Sequence, residues 1–407
     1  MAGRRDPAPS SGAGGSDKND WRLLVLLMAV TAIGPVTLNI MVPALPSLVV
    51  RLAADAATVQ LTLSLYLFSL ATAQLFLGPL SDRFGRRPVM LAGLALNVVA
   101  SVAAIWASSI GWLIFARVVQ AVGASGGIVI CRAIIRDLYE RDRAAAVIGL
   151  VTTAMVVAPM VAPFVGGLLD TAFGWEAIFL AIAAMSATVL LWAVLVLPET
   201  QPARAPQSPG TMVQEWRALL GHRRFYGYLL VGAFGSATFF VFLGGAPHIV
   251  VTLMRRSSAE YGLWFAVMSL GYMSGNFTVS RLSQRFGVDA MIVAGLVFEL
   301  IGALAMTGLI VVFGNHGPWL LFLPQFVVSF GNGLLMATAM AGAVSIRPQA
   351  AGSAAGMAGF VQMAIGAAAT QLVSLVLAGA TTGLPMALMA LTAVVIGFAL
   401  QAVLARR

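Results

Sequence analysis

Long apolar stretches separated by short polar breaks run from residue 21 to the end of the chain. A helix that crosses a bilayer needs about 20 consecutive apolar residues. On that ruler the pattern predicts twelve spans, at 22–45, 58–79, 88–107, 110–132, 145–169, 174–197, 226–249, 260–281, 289–313, 318–342, 351–378 and 383–404. The first run, from Trp21 to Leu45, is too long for a signal-peptide core and has no small-residue cleavage pattern after it, so it reads as a retained helix. Residues 1–20 are Gly, Ser, Pro and charge with almost nothing to bury, and are expected to form a disordered cytoplasmic tail.

The long polar break, 198–225, opens Pro198-Glu199-Thr200-Gln201-Pro202, a linker composition. In its second half Thr211 and Gln214 form a capping pair ahead of Trp216, Leu219 and Leu220, which predicts a short amphipathic helix on the membrane surface. The break divides the chain into six-helix bundles at 21–197 and 226–407. An internal repeat supports the division. Residues 81–93 (SDRFGRRPVMLAG) and 283–295 (SQRFGVDAMIVAG) are identical at six of thirteen positions, and each lies between the second and third spans of its half. Parallel repeats of this kind are a transporter architecture.

Composition agrees with the spans. The 407 residues are 60% hydrophobic and 10% charged, whereas soluble chains carry roughly 45–50% apolar and about 25% charged residues. With a mean hydropathy of +0.93, a water-soluble fold is excluded, and the fold class is an all-α membrane protein of twelve transmembrane helices in two six-helix pseudo-repeats. The net charge of +9 follows from topology. With the N-terminus inside, the arginines gather on cytoplasmic loops; only Arg51, Arg255 and Arg256 fall outside, and Arg117 lies within a span. That bias puts both termini in the cytoplasm and accounts for the basic excess without a nucleic-acid partner. Cys131 is the single cysteine, and His222, His248 and His316 show no ligand spacing, so no metal is expected. No cofactor is expected either: no phosphate-binding Gly-x4-Gly-Lys-[Ser/Thr] loop occurs, which excludes ATP drive from this chain. No clustered His/Asp/Ser or Cys/His set argues for an enzyme, and no soluble output domain argues for a sensor.

Four features carry chemistry. Gly78-Pro-Leu-Ser-Asp82-Arg83-Phe-Gly85-Arg86-Arg87-Pro88 combines a glycine for a tight turn with an acid that can pair with arginine, so its charge pairs can differ between two states. Arg117 sits inside the fourth span, where a charge is costly and functional by default. It lies ~10 Å from the outer end of its helix. Asn39 has nearly the same depth in the first span, and the two are expected to hydrogen-bond. Pro159 and Pro163 in the fifth span, with Gly166 and Gly167, predict a kinked helix that packs closely against a neighbour. Glu299, ten residues into the ninth span, is the one deep carboxylate.

Together these strings resemble the major facilitator superfamily. The 78–88 string resembles its loop between helices two and three. Arg117-Val-Val-Gln120-Ala-Val-Gly123 resembles the fourth-helix motif of proton-driven members, and the 158–167 string resembles the fifth-helix motif of exporters. Asn39-Ile-Met-Val-Pro43-Ala-Leu-Pro46 and Gln60-Leu-Thr-Leu-Ser-Leu-Tyr66 are similar to the bicyclomycin/chloramphenicol-resistance (Bcr/CflA) group of drug:proton antiporters. The resemblance implies a monomeric exporter of drug-like small molecules in the bacterial inner membrane, driven by proton influx through alternating access. Gly78, Asp82, Arg83, Gly85, Arg86 and Arg87 would serve gating, and Arg117 and Glu299 coupling. The substrate cavity would lie among helices 1, 4, 7 and 10, flanked by 2, 5, 8 and 11. Its candidate lining is Asn39, Tyr66, Gln120, Met155, Phe239, Phe242, Tyr272, Asn276, Gln325, Asn332 and Gln362, with Arg117 beside them. The chain departs from the group at Asn39, where aspartate is usual, which leaves the proton carrier open. Because the ninth helix of this fold is usually peripheral, Glu299 reads equally as a packed structural acid. The alternative function is export or facilitated passage of a natural metabolite without proton coupling.

Overall fold

The computed structural model describes residues 16–200, 216–347 and 350–405. Among these the chain forms twelve long helices and no strand: α1 (Ser16–Asn39), α2 (Ala56–Phe84), α3 (Arg86–Ile105), α4 (Ile110–Leu138), α5 (Arg141–Phe173), α6 (Trp175–Val196), α7 (Arg223–Pro247), α8 (Ser258–Phe286), α9 (Val288–Phe313), α10 (Trp319–Ser345), α11 (Ala351–Leu377) and α12 (Leu384–Ala405). Ten are long and apolar enough to cross a membrane. The other two are α5, whose apolar stretch is Pro159–Phe173, and α8, which is diluted by Ser269, Ser274, Asn276, Thr278 and Ser280. Both are held between other helices, α5 by α1 and α8, and α8 by α5 and α10.

Several boundaries differ from expectation: α2, α4 and α8 run on to Phe84, Leu138 and Phe286, and the first helix is recast. Helix α1 starts at Ser16, within the stretch expected to be a tail, and stops at Asn39 instead of running to 45. The remainder of that apolar run forms a 3-10 turn, Val42–Ala44, and a short helix, Leu45–Arg51. Pro43 and Pro46 supply the reason, since neither can donate the amide hydrogen that a continuing helix needs. Of the expected surface helix, residues 216–220 are helical; Thr211 and Gln214 lie outside the described residues, as do residues 1–15.

The internal repeat is a repeat of backbone geometry. Helices α2 and α8 both have 29 residues. Each begins at a side-chain cap that satisfies an otherwise orphaned amide: Asp55 Oδ1 accepts from the Thr58 amide at 2.9 Å, and Ser257 Oγ accepts from the Glu260 amide at 3.1 Å. Each ends at a glycine with positive φ, Gly85 at 99° and Gly287 at 81°, a torsion that a residue with a Cβ rarely adopts.

Helices α1–α6 pack on one another, with α4 receiving α2 and α3, α6 receiving α3, and α5 receiving α1. Helices α7–α12 repeat the arrangement around α10 and α7. The two groups meet mainly along α5–α8 and α2–α11. In lipid there is no hydrophobic drive between helices, so association depends on close backbone approach at small residues. Such an approach joins α3 to α4, where a Cβ on Gly123 would lie 2.6 Å from both the Asn97 amide nitrogen and the Gly93 carbonyl oxygen. Elsewhere packing is incomplete: a recess of about 580 Å³ opens between α1, α5 and α6, lined by apolar residues including Met28, Ile40, Val161 and Met185.

Gly123→Val is therefore expected to destabilise the fold by about 1–3 kcal/mol through overpacking. Gly111→Ala in the same helix, where an added Cβ meets nothing within 4 Å, is expected to be neutral or slightly stabilising. Thermal unfolding of the two purified variants in one detergent checks the contrast.

Candidate functional site

The first group of helices is organised around Arg117. Its side chain is fully buried and forms no ion pair among the described residues. The charge is instead shared among neutral acceptors. Nη1 donates to the Thr37 carbonyl at 3.0 Å and to Gln120 Oε1 at 2.5 Å, and Nε donates to the Thr62 carbonyl at 3.3 Å. The guanidinium carbon also lies 4.1 Å from the centre of the Tyr66 ring, whose π face attracts a cation. The Thr37 carbonyl is free to accept because α1 ends two residues later, leaving its last carbonyls without helical partners. The network continues outward: Gln120 Nε2 donates to Ser101 Oγ at 2.7 Å, Asn97 Nδ2 donates to the Gln120 carbonyl at 3.0 Å, and Ser186 Oγ donates to Asn97 Oδ1 at 2.8 Å. Five helices, α1, α2, α3, α4 and α6, thus share one polar core. Nη2 of Arg117 has no hydrogen-bond partner among the described residues.

The expected bond between Asn39 and Arg117 is not formed. Asn39 Nδ2 turns back to the Pro35 carbonyl at 2.8 Å, satisfying a carbonyl of its own last turn, and its Oδ1 has no partner among the described residues. Tyr66 and Gln120 are buried against Arg117. In the second group Asn332 is buried and donates to the Gly235 carbonyl at 2.9 Å, and Phe242 packs edge-on against Phe322. Gln325 is buried, with neither amide atom partnered among the described residues. Met155, Phe239, Tyr272, Asn276 and Gln362 are half-buried. Asn276 donates to the Tyr272 carbonyl at 3.0 Å, and Gln362 Nε2 lies 3.0 Å from Met336 Sδ. Glu299 belongs to this second group, away from Arg117; it is fully buried against Gly331 of α10, and neither carboxyl oxygen has a hydrogen-bond partner among the described residues.

At the end of the bundle that carries Gly85, charges are concentrated. Arg86 Nη1 pairs with Asp82 Oδ1 at 2.5 Å and donates to Ser81 Oγ at 2.7 Å, while its Nε donates to Asp137 Oδ2, in the last turn of α4, at 3.1 Å. Glu199 accepts from the amides of Arg86 and Arg87 at 2.9 and 3.2 Å, so it caps the first turn of α3. Arg87 Nη2 donates to the Val194 carbonyl at the end of α6 at 2.8 Å, and Arg83 lies over the Phe84 ring. A Cβ on Gly78 would rest in ordinary contact with Val129 of α4. Nothing in the sequence marks Asp137 and Glu199 as partners of this loop. Glu199 stands in a Pro-Glu-Thr string that signals only a linker.

At the opposite end the two groups of helices touch. Pro163 of α5 presents its carbonyl to Gly262 of α8, and a Cβ on Gly166 or Gly167 would strike the Ile40 or Ser258 carbonyl, so this glycine pair sits between the segment just after α1 and the start of α8. Pro159 lies one turn earlier in α5. Asp170 Oδ1 accepts from Ser47 Oγ at 2.8 Å and Oδ2 accepts from Ser258 Oγ at 2.7 Å. Gln371 of α11 reaches α2 twice, accepting from Ser64 Oγ at 2.9 Å and donating to the Ala57 carbonyl at 2.9 Å. Neither Asp170 nor Gln371 stands out in the sequence, where each reads as an ordinary polar residue near a helix end.

Comparison with known proteins gives this arrangement a family. The chain is similar to multidrug resistance protein D of Escherichia coli (strain K12), 31% identical over 344 residues that cover 84% of this chain and 85% of that protein. It is likewise similar to a chloramphenicol resistance protein of Pseudomonas aeruginosa, 31% identical over 303 residues, covering 72% and 70%. Among solved structures, it resembles a bacterial homologue of the human lysosomal transporter Spinster in an inward-facing, unoccupied conformation, with a TM-score of 0.76 at 15% identity over 97% of this chain and 98% of that one. The sequence profile described as Major Facilitator Superfamily matches residues 27–370, so this multi-pass membrane protein belongs to that superfamily.

Proposed function

We propose that the chain exports drug-like small molecules across a bacterial inner membrane, by alternating access coupled to proton influx. The observation that carries the reading is the similarity, over 84% of the chain, to a protein named for multidrug resistance. The chloramphenicol resistance relative supports it. On this reading residues 21–197 and 226–407 are the two moving bodies, 198–225 joins them, and one copy of the chain suffices. The Gly85 end, where arginines collect, faces the cytoplasm together with both termini. Among the candidate liners, the half-buried Met155, Phe239, Tyr272, Asn276 and Gln362 offer thioether, aromatic and amide groups, a set that can repack around bulky amphiphiles. Gly78, Asp82, Arg83, Gly85, Arg86 and Arg87 form the gating loop. Pro159, Pro163, Gly166 and Gly167 shape the helix contact that must slide or part.

Coupling requires a group that titrates between the two access states. Asn39 cannot ionise, and no carboxylate touches Arg117 among the described residues. Among the described residues Glu299 is the buried carboxyl group with both oxygens unpartnered, and it is assigned the proton, while Arg117 is assigned to holding the first body's polar core in register. The second reading, a metabolite exporter or facilitator without proton coupling, is favoured by the lack of any carboxylate in α1 beyond residue 20.

Proteoliposomes separate the two. With an imposed pH gradient, the unsubstituted protein is expected to accumulate chloramphenicol against its concentration gradient. Glu299→Gln is expected to bind it but equilibrate it only; transport indifferent to the gradient in both proteins selects the facilitator. In a pump-deficient bacterium, Arg117→Lys is expected to retain partial resistance and Arg117→Ala none. The alanine variant also leaves the acceptors at Thr37, Thr62 and Gln120 without their donor, at about 1–3 kcal/mol for each buried group left unsatisfied, which thermal unfolding reads directly. Asp82→Asn removes the carboxylate charge paired with Arg86. It is expected to slow transport several-fold at normal expression, and unchanged resistance at normal expression rules out its gating role.

A further inference from the structure

Asp170 stands where its own helix disfavours it. It lies in the last turn of α5 (Arg141–Phe173), and the C-terminus of a helix is the negative end of its dipole, where acids are unfavourable. What offsets this is across the seam. Ser258, whose hydroxyl donates to Asp170 Oδ2 at 2.7 Å, is the first residue of α8, so the carboxylate also faces the positive end of the α8 dipole. The other oxygen is held by Ser47, on the short helix that follows α1, at 2.8 Å. Ser47 and Asp170 belong to the first group of helices and Ser258 to the second. The glycine beside this contact, Gly167, brings the α5 backbone against the Ser258 carbonyl, which sets the short range that the carboxylate needs. A local preference broken in the helix and offset in part by a partner in the other group marks a contact that matters in one arrangement of the two groups.

We infer that Asp170 is a positioning residue of the transport cycle, a latch that holds this end of the molecule shut by bonding to Ser258 and is released when α5 and α8 part. Ser47 aims it. Gln371 makes the companion strap between α11 and α2. The inference rests on the alternating-access reading above but on neither the substrate nor the proton. A hydrogen bond to a charged acceptor is among the stronger kind, so losing it shifts the balance between shut and open states by roughly tenfold or more.

The test uses the full chain in proteoliposomes and a membrane-impermeant maleimide. Ser374, buried beside Gln60 in a small pocket between α2, α7 and α11 at this end, is replaced by cysteine as the reporter. The native Cys131 is fully buried, so the chain without the reporter is the blank. Adding Asp170→Ala or Ser258→Ala to the Ser374→Cys chain is expected to raise the labelling rate roughly tenfold. Ser47→Ala, whose bond does not cross the seam, is expected to raise it less, and Asp170→Ala with Ser258→Ala together no more than either alone. An unchanged rate overturns the latch. So does a parallel rise in labelling of Cys131 in the blank carrying Asp170→Ala, which would make Asp170 a folding residue only. Because labelling needs no substrate, a failure of the export reading leaves this outcome legible.

Discussion

Hydrocarbon solvates neither a charge nor an unpaired peptide group, and the burial of Arg117 is where that constraint bears hardest. An isolated guanidinium in such surroundings is costly; here its charge is spread over two backbone carbonyls, an amide and an aromatic face. One of those carbonyls is available only because α1 stops at Asn39. The interruption of α1, the orientation of Tyr66 and the Asn97–Gln120–Ser101 chain are then parts of one solution, which fixes five helices of the first group relative to one another.

Among the described residues the second group has no equivalent buried arginine at its centre, and its cohesion is different in kind. Helix α10 meets α8 and α9 through glycines on both sides, Gly271, Gly275 and Gly333 on one face and Gly295, Gly302 and Gly331 on the other. Backbone stacked on backbone leaves little room for adjustment. Each group is therefore stiff within itself, by polar bonding in one and by close packing in the other. The contacts between them are fewer, and include three side-chain hydrogen bonds at the Asp170 end.

How much of this the sequence discloses depends on the range of the interaction. Run length discloses twelve spans, and the repeat at 81–93 and 283–295 discloses two equivalent turns, because both are local properties of the chain. Gln120 is legible as a partner of Arg117, one helical turn away. The carbonyls of Thr37 and Thr62 are not, since a backbone acceptor leaves no mark in the residue type. Counting apolar residues hides the break in α1, because Pro43 and Pro46 are themselves no more polar than their neighbours. Glu199 on the α3 amides and Asp170 on Ser258 join residues 113 and 88 positions apart. Pairing at that distance is decided by how helices are stacked, and nothing within one helix records it.

The recess between α1, α5 and α6 has a meaning in a bilayer that it would lack in water. In a soluble protein an apolar void of 580 Å³ would forfeit dispersion contacts on every wall. Its wall of exposed Val157, Val161 and Val165 opens the recess at the helix surface, so in a bilayer acyl chains can enter it and contribute part of the packing of these three helices. The walls include Ile40, whose carbonyl lies against Gly166, and Val165 beside it. Occupancy of the recess by acyl chains would then bear on the helix contacts next to the seam and tie the packing of this corner of the protein to the membrane around it.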